Sequence, residues 1–423
     1  MAASLTYPLM AEPPRGELKG LQEPKAKPKF EFVALSALLI SLVALSIDSM
    51  LPALEAIGGE LDAGGGNQAQ LVVSALFLGL GVGQAIYGPL SDRFGRKPLI
   101  QAGLALFALG CMLSIFATSF PMMLMGRVLQ GLGVAGPRIV TVAMVRDRYK
   151  GAAMAEIMSL IMTLFILVPT VAPAIGQGLL LIGSWRLIFV VLLVFALFSF
   201  LWLTARQPET LAHQDRRPLS IPALAAGARE TCRNPVSRGY MLASGLLLGA
   251  FLGYLNSTAQ IFQSQYGLGS LFPLYFAITA LSLGSASLLN ARMVMRLGMG
   301  FLTRLAMRGV VAISFLFLPM AWMFAGHPPF WALLLFLLIV FFCVGLLFGN
   351  LNAIAMEPLG HIAGIAASVI GTVTTLLAMI LGGLIGWAYD GTVLPMIFGF
   401  ALLSGLSLLT MSLADRRIAK RPV

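Results

Sequence analysis

Twelve apolar stretches, each long enough to cross a lipid bilayer, follow one another through this chain. They are Phe32–Leu54, Gln70–Leu90, Pro98–Ala117, Phe120–Val145, Ala152–Ile182, Arg186–Ala205, Tyr240–Phe262, Leu271–Asn290, Leu302–Phe324, Pro329–Ala355, Ile362–Ala388 and Val393–Ala414. A stretch of ~20 apolar residues crosses the hydrocarbon core as a helix, because only a helix satisfies its own backbone N–H and C=O groups where water is absent. The expected fold is therefore all-α and integral to the membrane. The chain is 58% hydrophobic and 11% charged, whereas a soluble domain carries about 25% charged residues. The stretch Ala152–Ile182 is long and holds Pro169 and Pro173, so a tilt or a kink is expected there.

The net charge of +11 is a matter of topology. Of the 28 Lys and Arg, 5 lie in 1–31, 3 in 91–98, 3 in 146–151, 6 in 206–238, 4 in 291–308 and 4 in 415–423. These segments are alternate loops and both tails, so the positive-inside rule places both termini in the cytoplasm. No basic face is interleaved with aromatics, and no nucleic-acid partner is expected. Cys111, Cys232 and Cys343 are scattered and read as structural thiols. The first thirty residues lack an apolar signal core, so no cleavable signal peptide is expected and the first span acts as the targeting signal.

The longest loop, 206–238, holds four prolines and divides the chain into six-span halves, 32–205 and 239–414, with cytoplasmic tails 1–31 and 415–423. An echo supports the division. The turn between spans two and three reads Arg93-Phe-Gly95, and that between spans eight and nine reads Arg296-Leu-Gly298, as parallel repeats require.

The first of those turns carries the most specific motif. Gly88, Leu90, Ser91, Asp92, Arg93, Gly95, Arg96 and Lys97 fit the pattern G-x-L-[AS]-D-[RK]-x-G-[RK]-[RK]. Gly88 permits close helix approach, and Gly95 permits a tight turn. This run resembles motif A of the major facilitator superfamily. The resemblance implies two six-helix bundles around a central cavity. It also implies that the Asp92–Arg96 cluster, with Asp147 after span four, latches the cytoplasmic gate in the outward-open state. The start of span eleven, near Ile362–Gly364, is the helix end expected to face Asp92.

Three spans hold further patterns. Asp48 lies in Asp48-Ser-Met-Leu-Pro-Ala-Leu54, about four residues before the expected outer end of span one. An intramembrane carboxylate costs ~2.5–3.5 kcal/mol on insertion scales, which makes it a functional candidate; the alternative is a helix-end aspartate reaching interfacial water. Span four reads Arg127-Val-Leu-Gln130-Gly131-Leu-Gly133. At ~1.5 Å per residue, Arg127 and Asp48 both fall roughly 6–8 Å below the outer surface. Arg127 then either pairs with Asp48 or donates to neighbouring carbonyls as a scaffold. Arg138 is eleven residues on and close to the same helix face; it either binds a polar substrate group or snorkels toward water. In span five, Pro169-Thr-Val-Ala-Pro173-Ala-Ile-Gly176 supplies small residues for tight packing.

The first of these strings resembles the span-one signature of drug:proton antiporters, nearest the bicyclomycin/chloramphenicol (Bcr/CflA) resistance branch. The second resembles motif B. The third resembles the antiporter motif C, with Ala172 and Gln177 standing where the pattern has Gly. The resemblance implies proton-coupled multidrug efflux of small, mostly apolar compounds by alternating access, with Asp48 as proton carrier and Arg127 controlling it. It places the protein as a monomer in a bacterial inner membrane, with protons, drug-like molecules and lipid as its partners. A symporter or facilitator for a metabolite stays open as the alternative; a non-transporting sensor has little reason to keep the Asp92, Arg96 and Asp147 cluster together with Asp48 and Arg127, and a membrane enzyme lacks a catalytic constellation. The cavity is expected to be lined by Gln84, Gln130, Arg138, Tyr254, Asn256, Gln260 and Asn350, although each taken singly also suits a helix–helix hydrogen bond. No phosphate-binding loop or catalytic constellation occurs, and His213, His327 and His361 have no neighbouring ligand set, so no enzyme activity, cofactor or metal is expected.

Overall fold

The computed structural model describes residues 29–65, 67–216 and 218–419. Residues 1–28 of the expected N-terminal tail and 420–423 of the C-terminal tail lie outside the described residues. Fourteen α-helices follow in order among the described residues: α1 Lys29–Asp48, α2 Leu54–Glu60, α3 Leu71–Phe94, α4 Arg96–Ile115, α5 Phe120–Arg148, α6 Gly151–Ile182, α7 Arg186–Arg206, α8 Ile221–Arg233, α9 Pro235–Ala259, α10 Phe272–Leu297, α11 Met299–Met323, α12 Phe330–Met356, α13 Ala363–Trp387 and α14 Leu394–Ala419. Eleven helical stretches among these are long and apolar enough to cross a membrane. One of them, Phe330–Trp387, is 58 residues long and bends through the 3₁₀ turn Glu357–Ile362, so it supplies two spans and the total is twelve.

Span one departs from the sequence expectation. It does not end at Leu54. It runs from Phe30 to Glu60 as α1, a 3₁₀ turn at Leu51–Ala53 and α2. Pro52 has no N–H to give an α-helical bond, so the chain tightens there and resumes its helix at Leu54. Asp48 therefore lies twelve residues from the span's far end rather than four, about 18 Å at 1.5 Å per residue. That places it within the helical stretch, well away from either of its ends. The segment 206–238 likewise is not all loop, since it contains α8. Ser220 caps this helix, its Oγ accepting from Ala223 N at 3.3 Å, and Gly227 packs on Ile365 of α13.

Glycines set the packing within the first half. Gly79 and Gly131 let α3 and α5 meet backbone to backbone, and Gly110 and Gly133 do the same for α4 and α5. Without a hydrophobic drive between helices in lipid, such close approach supplies the attraction. The second half is built on α9 against α13 and α14, and on α12 against α10 and α11. The halves meet along two helix pairs, α3 with α13 and α6 with α10. Contact on α3 and α13 runs the length of the span, with Gln70 against Gly386, Gly81 against Leu376 and Gly88 against Ser368. The turn echo appears as shared backbone geometry. Gly95 (φ 105°) joins α3 to α4, and Gly298 (φ 78°) joins α10 to α11, each serving as the end of one helix and the start of the next. Large apolar side chains that face outward, such as Leu181, Leu201, Leu316 and Leu335, suit a lipid belt.

Candidate transport pathway and gates

The end of the molecule that carries the basic loops is held by ions. Arg96 opens α4, and its side chain is 9% exposed. Its Nη1 donates to Asp92 Oδ1 at 2.5 Å and to Ser91 Oγ at 2.7 Å, and its Nε donates to Asp147 Oδ2 at 2.9 Å. One guanidinium thus joins the end of α3, the start of α4 and the end of α5. The Asp92 carboxylate also stands at the start of α13, where a Cβ on Gly364 would lie 3.8 Å from Oδ2. A carboxylate is favourable there because the first N–H groups of a helix have no intrahelical partner. The motif residues therefore meet as the sequence implied, and with the expected helix end. Arg93 is the exception. It is exposed, its guanidinium 5.1 Å from the centroid of the Phe94 ring, and it takes no part in the cluster.

Sequence reasoning gave no role to Glu209. Its Oε1 accepts from Arg96 N at 2.9 Å and its Oε2 from Lys97 N at 3.1 Å, so it caps α4 from the linker. Gly95 is required twice over, for its φ and because any Cβ would strike this carboxylate. The available signal was an acid just beyond span six and a glycine-led, basic helix start with no capping side chain of its own.

The opposite end is held by amides. Gln70 Nε2 donates to Gln260 Oε1, Gln260 Nε2 donates to Asn67 Oδ1 at 3.1 Å, and Asn67 Nδ2 donates to the Trp387 carbonyl at 2.9 Å and the Tyr389 carbonyl at 2.5 Å. These bonds tie the start of α3 to the ends of α9 and α13. Gln260, expected in the cavity, belongs instead to this closing cluster. Nearby, Glu60 accepts from Trp185 Nε1 at 2.6 Å and Arg186 Nη1 at 2.5 Å.

Between the two ends, the charged residues follow two patterns. Arg127 is fully buried and each of its three guanidinium nitrogens donates a bond: Nε to the Val72 carbonyl at 3.1 Å, Nη1 to Gln130 Oε1 at 2.6 Å, and Nη2 to the Ser46 carbonyl at 3.0 Å. The Ser46 carbonyl is free for a local reason. Beyond Asp48 the helix tightens, and Met50 N donates to Ile47 O instead. Arg127 thus fastens the break that carries Asp48. No ion pair joins the two among the described residues, so the scaffold alternative holds and the pairing does not. Asp48 is 5% exposed and has no hydrogen bond or ion pair among the described residues. Gly176 packs on the Ser49 carbonyl, where a Cβ would collide. The Pro169–Pro173–Gly176 segment of α6 therefore seats against the break next to Asp48.

The other expected lining residues join helices together. Gln130 Nε2 donates to Gly110 O at 3.1 Å and Ser114 Oγ at 3.0 Å. Asn350 and Asn290 exchange bonds of 2.9 and 3.1 Å. Asn256 donates to Gly382 O at 3.0 Å, and Gln84 donates across the halves to Thr375 Oγ1 at 3.0 Å. Tyr254 is bonded to Thr279 Oγ1 at 3.2 Å within a cluster that includes Phe262, Phe276 and Phe341. All of these are buried, because a polar group in a span needs a partner and the adjacent helix is the nearest source. Arg138 differs: it is exposed and has no partner among the described residues.

Two six-span halves, joined along two helix pairs and fastened at both ends, form a multi-pass membrane transporter. The chain belongs to the major facilitator superfamily, whose family profile matches residues 35–383. It is 29% identical over 89% of its length, and 93% of the relative's, to an uncharacterized MFS-type transporter, YdgK, of Bacillus subtilis. It is 28% identical to a bicyclomycin resistance protein homolog of Haemophilus influenzae (88% of this chain, 93% of the relative). It is also 26% identical to multidrug resistance protein D of Escherichia coli (82% and 86%). Among solved structures, the xylose transporter XylE of E. coli superimposes with a TM-score of 0.71 at 14% identity, covering 91% of this chain and 97% of that one.

Proposed function

We propose that this transporter is a proton-coupled exporter of small, mostly apolar compounds, working by alternating access in a bacterial inner membrane with its basic end in the cytoplasm. The observation that carries the reading is Asp48: a buried carboxylate inside the first helical span, at a helix break, with no cation or hydrogen-bond donor assigned to it among the described residues. Such a charge costs ~2.5–3.5 kcal/mol on insertion scales, and taking up a proton removes it. The similarity to bicyclomycin and multidrug resistance proteins supports drug-like cargo.

Both gates are made of reversible contacts. The amide cluster breaks to open the outer side, while the Arg96 cluster, with Asp92 on the start of α13, holds the inner side shut. The inner side opens when that carboxylate leaves the helix start. Asp48 is deprotonated as cargo binds from inside, and it takes a proton from outside after release. Charge that moves across the membrane draws on ~2.3 kcal/mol per elementary charge per 100 mV. Arg127 holds the Ser46 carbonyl and so keeps the Asp48 segment in its broken form. It acts on the carboxylate through position.

The test is a drug-susceptibility panel in a host deleted for its own pumps, comparing the wild type with Asp48→Asn at equal membrane abundance. Raised resistance with the wild type alone supports the reading. Equal resistance from both forms removes Asp48 from the mechanism, and no resistance to any compound refutes drug export. The competing symporter reading is separated in inverted vesicles, where an exporter takes up cargo when the interior is acidified.

A further inference from the structure

Arg138 is placed where an unused guanidinium is unexpected. It follows Arg127 by eleven residues on α5, and at 100° per residue the two fall on nearly the same face. The other residues of that face, Val134, Thr141 and Val145, are all fully buried, so the face looks into protein and not into lipid. Arg138 is nonetheless exposed. These two facts agree if it borders an internal space that admits water. It sits nearly three helical turns before the end of α5 at Arg148. Two hydroxyls lie within about one turn of its level. Thr141 Oγ1 is one turn away on the same face of α5. Ser36 Oγ is on the antiparallel α1, which α5 packs against, and it is reached by counting back from the Arg127–Ser46 bond. Both are buried without a hydrogen-bond partner.

Asp48 does not supply the missing counter-charge. Two residues beyond Ser46, it is about 20 Å from Arg138 along the helix axis at 1.5 Å per residue. Each guanidinium nitrogen of Arg127 donates a bond, and none of Arg138 does among the described residues. A guanidinium presents a planar fork that matches a carboxylate or related oxyanion with two parallel bonds. From this we infer that Arg138 is a substrate-specificity residue that binds an acidic group on the cargo. The cargo class is then a small apolar body bearing one carboxylate, sulfonate or comparable oxyanion, with the Thr141 and Ser36 hydroxyls available to its remaining lone pairs. This deepens the export reading and rests on it.

The experiment uses the full-length protein in lipid nanodiscs and pairs of ligands that differ only in the acidic group. The probes are naphthalene-1-carboxylate, naphthalene-1-sulfonate and 4-phenylbutyrate, each against its neutral methyl ester, with binding read by calorimetry. The wild type should bind at least one acid about tenfold more tightly than its ester, as expected of a hydrogen bond to a charged group. Arg138→Gln should remove that preference, and Arg138→Lys, which keeps the charge but not the fork, should retain part of it. Thermal melts check that the variants are folded. Thr141→Val, which leaves the guanidinium in place, serves as a second variant and should weaken acid binding with little effect on the ester. Equal binding of acid and ester by the wild type for all three pairs overturns the inference. So does a preference that survives Arg138→Gln. Proton-driven uptake of a neutral dye into inverted vesicles keeps the two readings apart. If uptake is intact while the acid preference is absent, only this inference fails. If uptake by the wild type is also absent, the export reading fails with it.

Discussion

Arg127 and Asp48 are charges of opposite sign in neighbouring helices of the same half, and the fold treats them in opposite ways. Arg127 has a partner for each of its guanidinium nitrogens, two of them backbone carbonyls on α1 and α3. Asp48, two residues from one of those carbonyls, has none. A charge whose bonds are all internal can only hold structure, because any movement leaves it unpaired in a poor solvent for ions. A charge with no internal partner is free to gain and lose a proton as the surroundings change. The difference separates the scaffold of the first half from its working group, although both residues read as functional charges in the sequence.

The comparison breaks most clearly at Arg127. Arg127→Ala leaves the Ser46 carbonyl and Gln130 Oε1 in the interior without their donor, and a loss of about 1–3 kcal/mol for each is expected. Chemical or thermal melting in detergent should show it, while Asp48→Asn should melt at or above the wild-type temperature. If the two variants melt alike, the contrast between scaffold and working group is wrong. Gly176→Val comes next. It drives a side chain into the Ser49 carbonyl, and overpacking of this kind costs about 1–3 kcal/mol. Transport should fall with protein abundance largely kept, since the strain is local to the Asp48 break.

The gates give smaller effects. Arg96→Gln removes both ion pairs of a nearly buried side chain and should shift the population toward the form open at the basic end. Faster thiol labelling of a cysteine placed at Ser368, which lies against Gly88, would report the shift. Asp92→Asn, at a side chain 41% exposed, should give a weaker change in the same direction. The smallest effect is expected at Arg304→Gln. Its bridge to Asp415 is 3.2 Å long with side chains 44% and 28% exposed, and exposed pairs contribute about 0–1 kcal/mol. A melt indistinguishable from wild type is the expected result.

What the sequence discloses follows from how many physical requirements a residue meets. The spans are legible because lipid demands long apolar helices. The Arg96 cluster is legible because charge, glycine and helix end coincide in one turn, and it assembles with Asp147 as anticipated. Asp48 is visible as an intramembrane acid, but the helix runs further past it than the hydropathy suggests. Polar Glu55 and the Gly58–Gly59 pair lower the hydropathy beyond Leu54, and yet the helix continues to Glu60. The partner of Arg127 on α1 is hidden because it is a carbonyl released by a break two residues from Asp48, which no pattern of side chains records. Gln130, Asn256 and Asn350 are ambiguous for a similar reason. A polar residue in a span can face cargo or bond the next helix, and the facing backbone decides which. The two halves share the glycine turns at Gly95 and Gly298, but only the first keeps acids around its arginine.

The most direct measurement is cargo-dependent proton flux in proteoliposomes holding wild type or Asp48→Asn, using compounds to which the wild type gives resistance. On this account, adding cargo to the wild type moves protons in the opposite direction. The Asp48→Asn protein moves none, while still exchanging labelled for unlabelled cargo. Undiminished proton movement in Asp48→Asn would contradict the account, because the proton would then be carried elsewhere.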